Sequence, residues 1–286
     1  MSIPVIIPAH NEALVIGRCL EALRTGTGPS DLEIVVVCNG CNDDTADRAR
    51  TADSGIRVVE TSVASKAHAL NAGEAMVKGF PRFYVDADVV ITADAIRSIA
   101  SRLDDDVLAA SPTMEMDLSR SSWPVRAYYP IWTGLPYVRE GMMGVGVYAL
   151  SEEGRRRFDE FPDVISDDGY VRMLFGPTER SRVDDAKVRV TAPRRFDDLL
   201  RIKSRSRLGL YQLHTRYAGI SSREQRSKSY RGAAGTVALR PWLWPHAAVY
   251  LAVQLATRRR ARRQLASLDS YVWERDRSSR FHDSTR

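Results

Sequence analysis

The chain has 286 residues, a hydrophobic fraction of 44% and a formal net charge of +6, which is enough apolar material for a substantial globular core. Its three cysteines cannot all pair with one another, which speaks against a disulfide framework and for a reducing compartment. The positive excess points to polyanionic partners, meaning phosphates, anionic lipid or nucleic acid, without choosing among them.

The opening "MSIPVIIPAHNE" has no basic leader and too short an apolar run for a secretory signal, so the expected compartment is the cytoplasm. Within it "IPVII" reads as a buried strand. "EALVIGRCLEAL" has helical spacing that turns Leu14, Cys19, Leu20 and Leu23 to the core, with Asn11 as its expected cap. "EIVVV" is a second strand, "TADRARTA" a second helix capped by Asp43 or Asp44, and "IRVVE" a third strand. "KAHALNAGEAMVKG" is a helix that Gly79 is expected to end at C′. "FYVDADVV" is a fourth strand ending in acid, and Thr92 starts the next helix. This alternation means a mostly parallel sheet wound with helices, whose ligands sit at the carboxyl ends of the strands.

After "VLAASP" the pattern from Thr113 to Gly141 is irregular and rich in Trp, Tyr and Pro. "GVGVYAL" is then a buried strand, followed by a helix from Ser151. From Arg194 onward the composition turns basic and helical, so the expected organisation is a core domain over 1–200 and a helical C-terminal region over 201–286. In that region "PWLWPHAAVYLAVQLAT" lacks Asp, Glu, Lys and Arg and is followed by "RRRARR". It is short for a membrane span and is interrupted by Pro241, Pro245, His246 and Gln254. A helix packed on the domain, or lying at the inner face of an anionic membrane, is the expectation. The final "YVWERDRSSRFHDSTR" reads as a polar tail with Trp273 as its anchoring candidate.

Three features carry chemistry. Asp86 and Asp88 alternate with Ala87 at a strand end and so share one side; two hard carboxylates there suit Mg2+ or Mn2+ and leave positions open for a diphosphate. Asp167 and Asp168 in "VISDDGYVRMLFG" either simply start a helix, where carboxylates suit the positive end of the dipole, or present one carboxylate to the cleft as a general base. In "RIKSRSRLGLYQL" the arginines either form a solvated basic face or clamp a diphosphate, a task their fork geometry suits. "VVVCNGCNDD" adds a Cys-x-x-Cys, but no second Cys or His pair with zinc spacing accompanies Cys38 and Cys41.

Taken in order, "VIIPAHNE", "VVVCNGCNDDT", "SKAHALNAG", "YVDADV", "SDDGYVRMLF" and "RSR" resemble the motifs of family 2 glycosyltransferases of the GT-A fold, over roughly the first 210 residues. The resemblance implies that the loop from Pro8 through Ala9 and Asn11 to Glu12 contacts the nucleoside. It implies that Cys38, Asn39, Gly40 and Cys41 stand where relatives carry Asp-Asp-Gly-Ser, so the cysteines occupy a nucleotide loop. Asn39 replaces an Asp that accepts from the base; its amide oxygen can accept from uracil N3–H and its NH2 can face cytosine N3. Lys66 is placed near the donor, Asp88 on the metal, Asp86 near the ribose and the metal shell, and Asp168 as the base with Asp167 its neighbour. Arg205 and Arg207 match the basic positions of a later motif whose Gln and Trp are lacking here.

The implied activity is inverting, metal-dependent transfer of a sugar from a nucleoside diphosphate sugar, UDP-sugar favoured, to an acceptor hydroxyl on a small molecule, glycan or lipid carrier. The aromatic segment from Trp123 to Gly146 is a candidate acceptor face or a plain core layer. A sugar nucleotidyltransferase would carry a Gly-rich, Arg-containing loop where this chain reads "PAHNEA". A non-catalytic nucleotide-sugar binder or membrane scaffold would need no base. No nucleic-acid-binding motif accompanies the arginines, so no nucleic acid partner is expected.

Overall fold

The computed structural model describes residues 2–26, 28, 31–142, 144–221 and 240–266; the tail around Trp273 lies outside them. In chain order come β1 (Ile3–Ala9), α1 (Ile16–Arg24), β2 (Leu32–Asn39), α2 (Thr45–Ala52), β3 (Arg57–Thr61), α3 (Lys66–Met76), β4 (Arg82–Val85), β5 (Val90–Ile91) and α4 (Ala93–Ala100). Then follow β6 (Ala109–Asp117), α5 (Trp123–Thr133), α6 (Pro136–Arg139), β7 (Val147–Leu150), α7 (Glu152–Arg155), α8 (Asp167–Met173), β8 (Arg180–Thr191), α9 (Phe196–Arg216) and α10 (Ala218–Ser221). A 3-10 turn at Pro241–Leu243 leads into α11 (Trp244–Leu265).

The described strands form one eight-stranded sheet in the order β3-β2-β1-β4-β7-β6-β8-β5. The strands β3, β2, β1 and β4 run parallel, β7 pairs antiparallel to both β4 and β6, and β8 is parallel to β6. Period-two alternation divides the core. Val5, Ile7 and Ala9 of β1 face α1, α2 and α4 on one side, while Ile6 meets Ala69 and Leu70 of α3 on the other. Strands covered on both faces read as unbroken apolar runs, as "PVII" and "IVVV" do; each fully buried Ile or Val contributes about 1.5–3 kcal/mol. A third cluster lies between α5, α9 and α11, around Val125, Tyr128, Trp132, Leu199 and Val253.

Local details differ from the sequence reading for identifiable reasons. The first helix begins only at Ile16, so Leu14 is exposed and Asn11 caps nothing there. Asn11 takes a left-handed conformation, φ 54°, and its Oδ1 accepts from the Asn42 amide at 2.9 Å, tying two loops together. Asp44 is the α2 N-cap residue without a side-chain bond, while Asp43 accepts from the Thr45 amide at 3.1 Å. α3 is capped by Ser65 and ends at Met76 with Val77 extended, before Gly79. The span from Thr113 to Gly141 is not irregular: β6 runs through Asp117, and α5 and α6 follow. The aromatic and proline content there belongs to a helix with Pro130 inside it, packed on α9 and α11. β8 escaped notice because a bulge opposite Pro112 and Thr113 accommodates Asp184 and Asp185, which breaks its alternation. Finally, α9 runs unbroken through Leu200 and Arg201.

Candidate active site

Strands β1, β2 and β4 end together, and their loops meet. Glu12 donates its amide to Thr45 Oγ1 at 2.8 Å, Asn11 donates its own to Cys41 Sγ at 3.4 Å, and Cys41 Sγ donates to the Ala9 carbonyl at 3.4 Å. His10 Nδ1 bonds the Asn39 carbonyl, which draws the two strand ends closer. Asn39 is buried at the end of β2, next to the Pro8 to Glu12 loop through the His10 contact. Gly40 has φ +59°, and a Cβ there would lie 2.7 Å from the Ala64 side chain, so only glycine fits the turn. The three cysteines are free thiols. Cys38 faces the core, where burial first and Cys41 second push its thiol up to about 12. Cys38 thus packs into the core while Cys41 staples the β1 and β2 loops.

β4 stops at Val85, so Asp86 and Asp88 lie in a turn closed by the Val89 amide on the Asp86 carbonyl at 3.3 Å. Burial still alternates as on a strand, with Val85, Ala87 and Val89 in the core and both aspartates half-buried toward the other side. Gly146, the residue before β7, fixes this turn. Its carbonyl accepts from the Asp86 amide at 2.7 Å, its φ is +72°, and a Cβ there would meet Val89 at 2.6 Å and Asp86 Oδ2 at 3.2 Å. From α1, Arg18 donates to the Asp88 carbonyl at 3.0 Å.

Lys66, at the start of α3, joins the two acidic pairs. Its Nζ lies 2.7 Å from Asp86 Oδ1 and 2.8 Å from Asp167 Oδ1. Burial would lower the lysine, but the charges of Asp167 and Asp86 outweigh it and hold the ammonium well above its ordinary value. Burial pushes the Asp86 carboxyl up to about 6; Lys66 opposes this, and Asp167 and Asp88 add to it. Asp167 is 6% exposed and also accepts from the Tyr148 hydroxyl at 3.2 Å. Burial, with the Asp167 charge beside it, keeps that phenol protonated and a donor.

Asp168 is differently placed. Its Oδ1 accepts from Ser166 Oγ at 2.6 Å and the Gly169 amide at 2.7 Å, and its Oδ2 accepts from the Gly144 amide at 3.1 Å. It is half-buried beside Gly144, where an added Cβ would meet the Trp132 ring at 3.4 Å. α9 supports this loop from behind, since Gln212 Oε1 accepts from the Ile165 amide at 2.8 Å. On α9 itself Arg207 donates to Gln254 of α11, and Arg205 adds its charge to the surroundings of Lys203. The structure therefore gathers Lys66, Asp86 and Asp167, with Asp88 in the same turn as Asp86 and Asp168 beside Asp167 at the start of α8, while Arg207 is engaged by α11.

The sequence reading missed Gly146, Tyr148, Gly144 and Arg18. "GVGVYAL" carried a usable signal, because a strand paired beside the acidic turn puts its leading glycine against that turn.

A divalent cation has a donor set of the right chemistry here. Among the described residues no three His, Cys, Asp or Glu side chains group as a complete metal site. Mg2+ and Mn2+ in phosphate chemistry take one or two carboxylates and complete their shell with substrate oxygens and water. Asp86 and Asp88 fit that requirement.

The family model for glycosyl transferase family 2 matches residues 5–144. No curated protein matches the chain. Among solved structures, the mannosyltransferase PcManGT from Pyrobaculum calidifontis, in complex with GDP-Man and Mn2+, is 22% identical with a TM-score of 0.62, covering 94% of this chain and 80% of that one. Glucosyl-3-phosphoglycerate synthase from Mycobacterium tuberculosis, in complex with Mn2+, UDP and glucosyl-3-phosphoglycerate, is 19% identical with a TM-score of 0.54, covering 75% and 79%. At these identities the structures establish a shared fold, a curled, mostly parallel sheet of GT-A type.

Proposed function

Because the chain carries a family 2 glycosyltransferase domain, we propose that it moves a sugar from a nucleoside diphosphate sugar, UDP-sugar favoured, to an acceptor hydroxyl with inversion at the anomeric carbon. The observation that carries this reading is Lys66, whose one ammonium binds both Asp86 of the donor-side turn and Asp167 of the acidic pair. It holds the metal and diphosphate side of the cleft against the side that bears Asp168.

The roles in this proposal are as follows. Pro8, Ala9, Asn11, Glu12 and Asn39 form the nucleoside end, where the Asn39 amide oxygen suits uracil N3–H. Asp88 and Asp86 would hold Mg2+ or Mn2+, which when bound supplies positive charge at the diphosphate. Asp167, pinned by Lys66 and Tyr148, orients the start of α8. Asp168 keeps lone-pair capacity on Oδ2 at the open side and takes the acceptor hydroxyl proton. The acceptor oxygen then bonds to the anomeric carbon on the face opposite the diphosphate, which departs with the electrons of the broken bond. Lys66, with Arg205 in the same proposed role from α9, offsets negative charge growing on that leaving group, whereas Arg207 is held by Gln254 of α11 and would have to leave it to join them.

Incubation with UDP-glucose, Mn2+ and a panel of hydroxyl acceptors, followed by NMR of the product, tests this. The expected product has the anomeric configuration opposite to the donor's. A product of unchanged configuration would refute the single displacement.

A further inference from the structure

We propose that α11, with the turn before it, docks this protein on an anionic membrane surface. α11 has two unlike faces. Val253, Thr257 and Ala261, one turn apart, are buried, with Val253 clustered among side chains of α5 and α9. On the same inner side Tyr250 stacks on Tyr128 with ring centroids 5.5 Å apart, and Gln254 accepts from Arg207. The outer face is apolar where a soluble helix is ordinarily charged. Trp244 is 59% exposed, Leu251 59% and Leu255 57%, and Trp242 in the preceding turn is 67% exposed. At about 100° per residue, Trp244, Leu251, Leu255, Arg258 and Arg262 all lie within roughly 40° of one line, opposite Val253.

The stripe identifies its own partner. Residues 240–266 contain no Asp or Glu, and Arg258, Arg259, Arg260, Arg262 and Arg263 follow the apolar turns directly. Tryptophans at one end and arginines at the other, flanking exposed leucines, suit the boundary between acyl chains and anionic headgroups. Leu251 and Leu255 gain nothing from a nucleic acid backbone, which the arginines alone would satisfy. The helix lies on the surface, since no helix among the described residues is long and apolar enough to cross a bilayer. Its inner face meets α5 and α9, and Trp132 of α5 reaches Gly144 and so the neighbourhood of Asp168. On the transferase reading, the acceptor hydroxyl is therefore carried by a lipid or another amphiphile at that surface.

The test uses the full chain and sedimentation with vesicles of phosphatidylcholine, alone or mixed with phosphatidylglycerol, so it does not depend on sugar transfer. Wild type is expected to partition onto the anionic vesicles at least about tenfold better than onto neutral ones. Leu251→Ser/Leu255→Ser and Arg258→Gln/Arg259→Gln/Arg262→Gln should each lower that partition about tenfold or more. These side chains are exposed, so unchanged thermal melting is expected to show both variants folded. Absence of wild-type binding to anionic vesicles overturns the proposal. So does binding that survives the leucine changes and vanishes with salt, which would be charge attraction without insertion.

Discussion

Replacing Lys66 by methionine removes one cation from between two carboxylates and leaves the stem that packs there. The two halves of the bridge weigh differently. The side chain of Asp167 is 8% exposed, so its charge loses its partner away from water, where breaking a buried pair costs about 3–5 kcal/mol. The Tyr148 hydroxyl stays on Asp167 and solvates part of that charge, which reduces the loss to about 2–3 kcal/mol. The Asp86 side chain is 39% exposed, and water screens its half to about 1 kcal/mol or less. The sum, about 3 kcal/mol, corresponds to roughly 5–10 °C in melting temperature for a chain of this size. Calorimetric melting in chelator should show that loss. Millimolar Mn2+ should recover part of it, because a cation on Asp86 and Asp88 also relieves repulsion between the acidic pairs. A loss below about 0.5 kcal/mol, or no difference between chelator and Mn2+, would refute the bridging role.

The other substitutions probe separate parts of the cleft. Asp168→Asn should lower turnover about 10²- to 10⁴-fold while nucleotide affinity measured by titration is unchanged; full activity would remove Asp168 as the base. Gly146→Ala, which forces a Cβ against Val89 and Asp86, should weaken Mn2+-dependent nucleotide binding at least tenfold, whereas an unaltered affinity would show that the turn adapts. Lys203 lies over the Trp132 ring, 3.3 Å from its centroid, where burial first and Arg205 second lower its ammonium to about 7. The folded protein then holds fewer protons than the unfolded chain between about pH 7 and the ordinary lysine value, so stability rises with pH across that window. Lys203→Met should therefore stabilise by about 2 kcal/mol at pH 6, allowing for the cation–π attraction it gives up, and progressively less by pH 10; a pH-independent difference in melting would contradict this.

Much of the fold was legible in the sequence because the N-terminal half obeys simple periods. "PVII" and "IVVV" are buried on both faces, and the helices between them keep one apolar stripe each. Legibility failed where tertiary contacts override local pattern. The aromatic run of α5 is helical because α9 and α11 cover it, and β8 forms around a charged bulge that no alternation rule anticipates. Asn11 has the composition of a helix cap, but its backbone is needed to join the β1 and β2 loops. In the cleft the acidic residues could be named from their motifs, yet the Lys66 bridge and the Tyr148 and Gly144 donors depend on β7 lying beside β4 and on the loop before it. Leu14, expected in the core, is exposed because α1 starts two residues beyond it.

The central claim is that the turn at Asp86 and Asp88 binds a nucleotide diphosphate together with a divalent cation, and calorimetric titration tests it most directly. UDP, CDP and GDP would be titrated with and without Mn2+ into wild type and Asp88→Ala. UDP binding that requires Mn2+ and is lost in the variant is the predicted result. No nucleotide binding under any condition, or metal-dependent binding that survives Asp88→Ala, would contradict it.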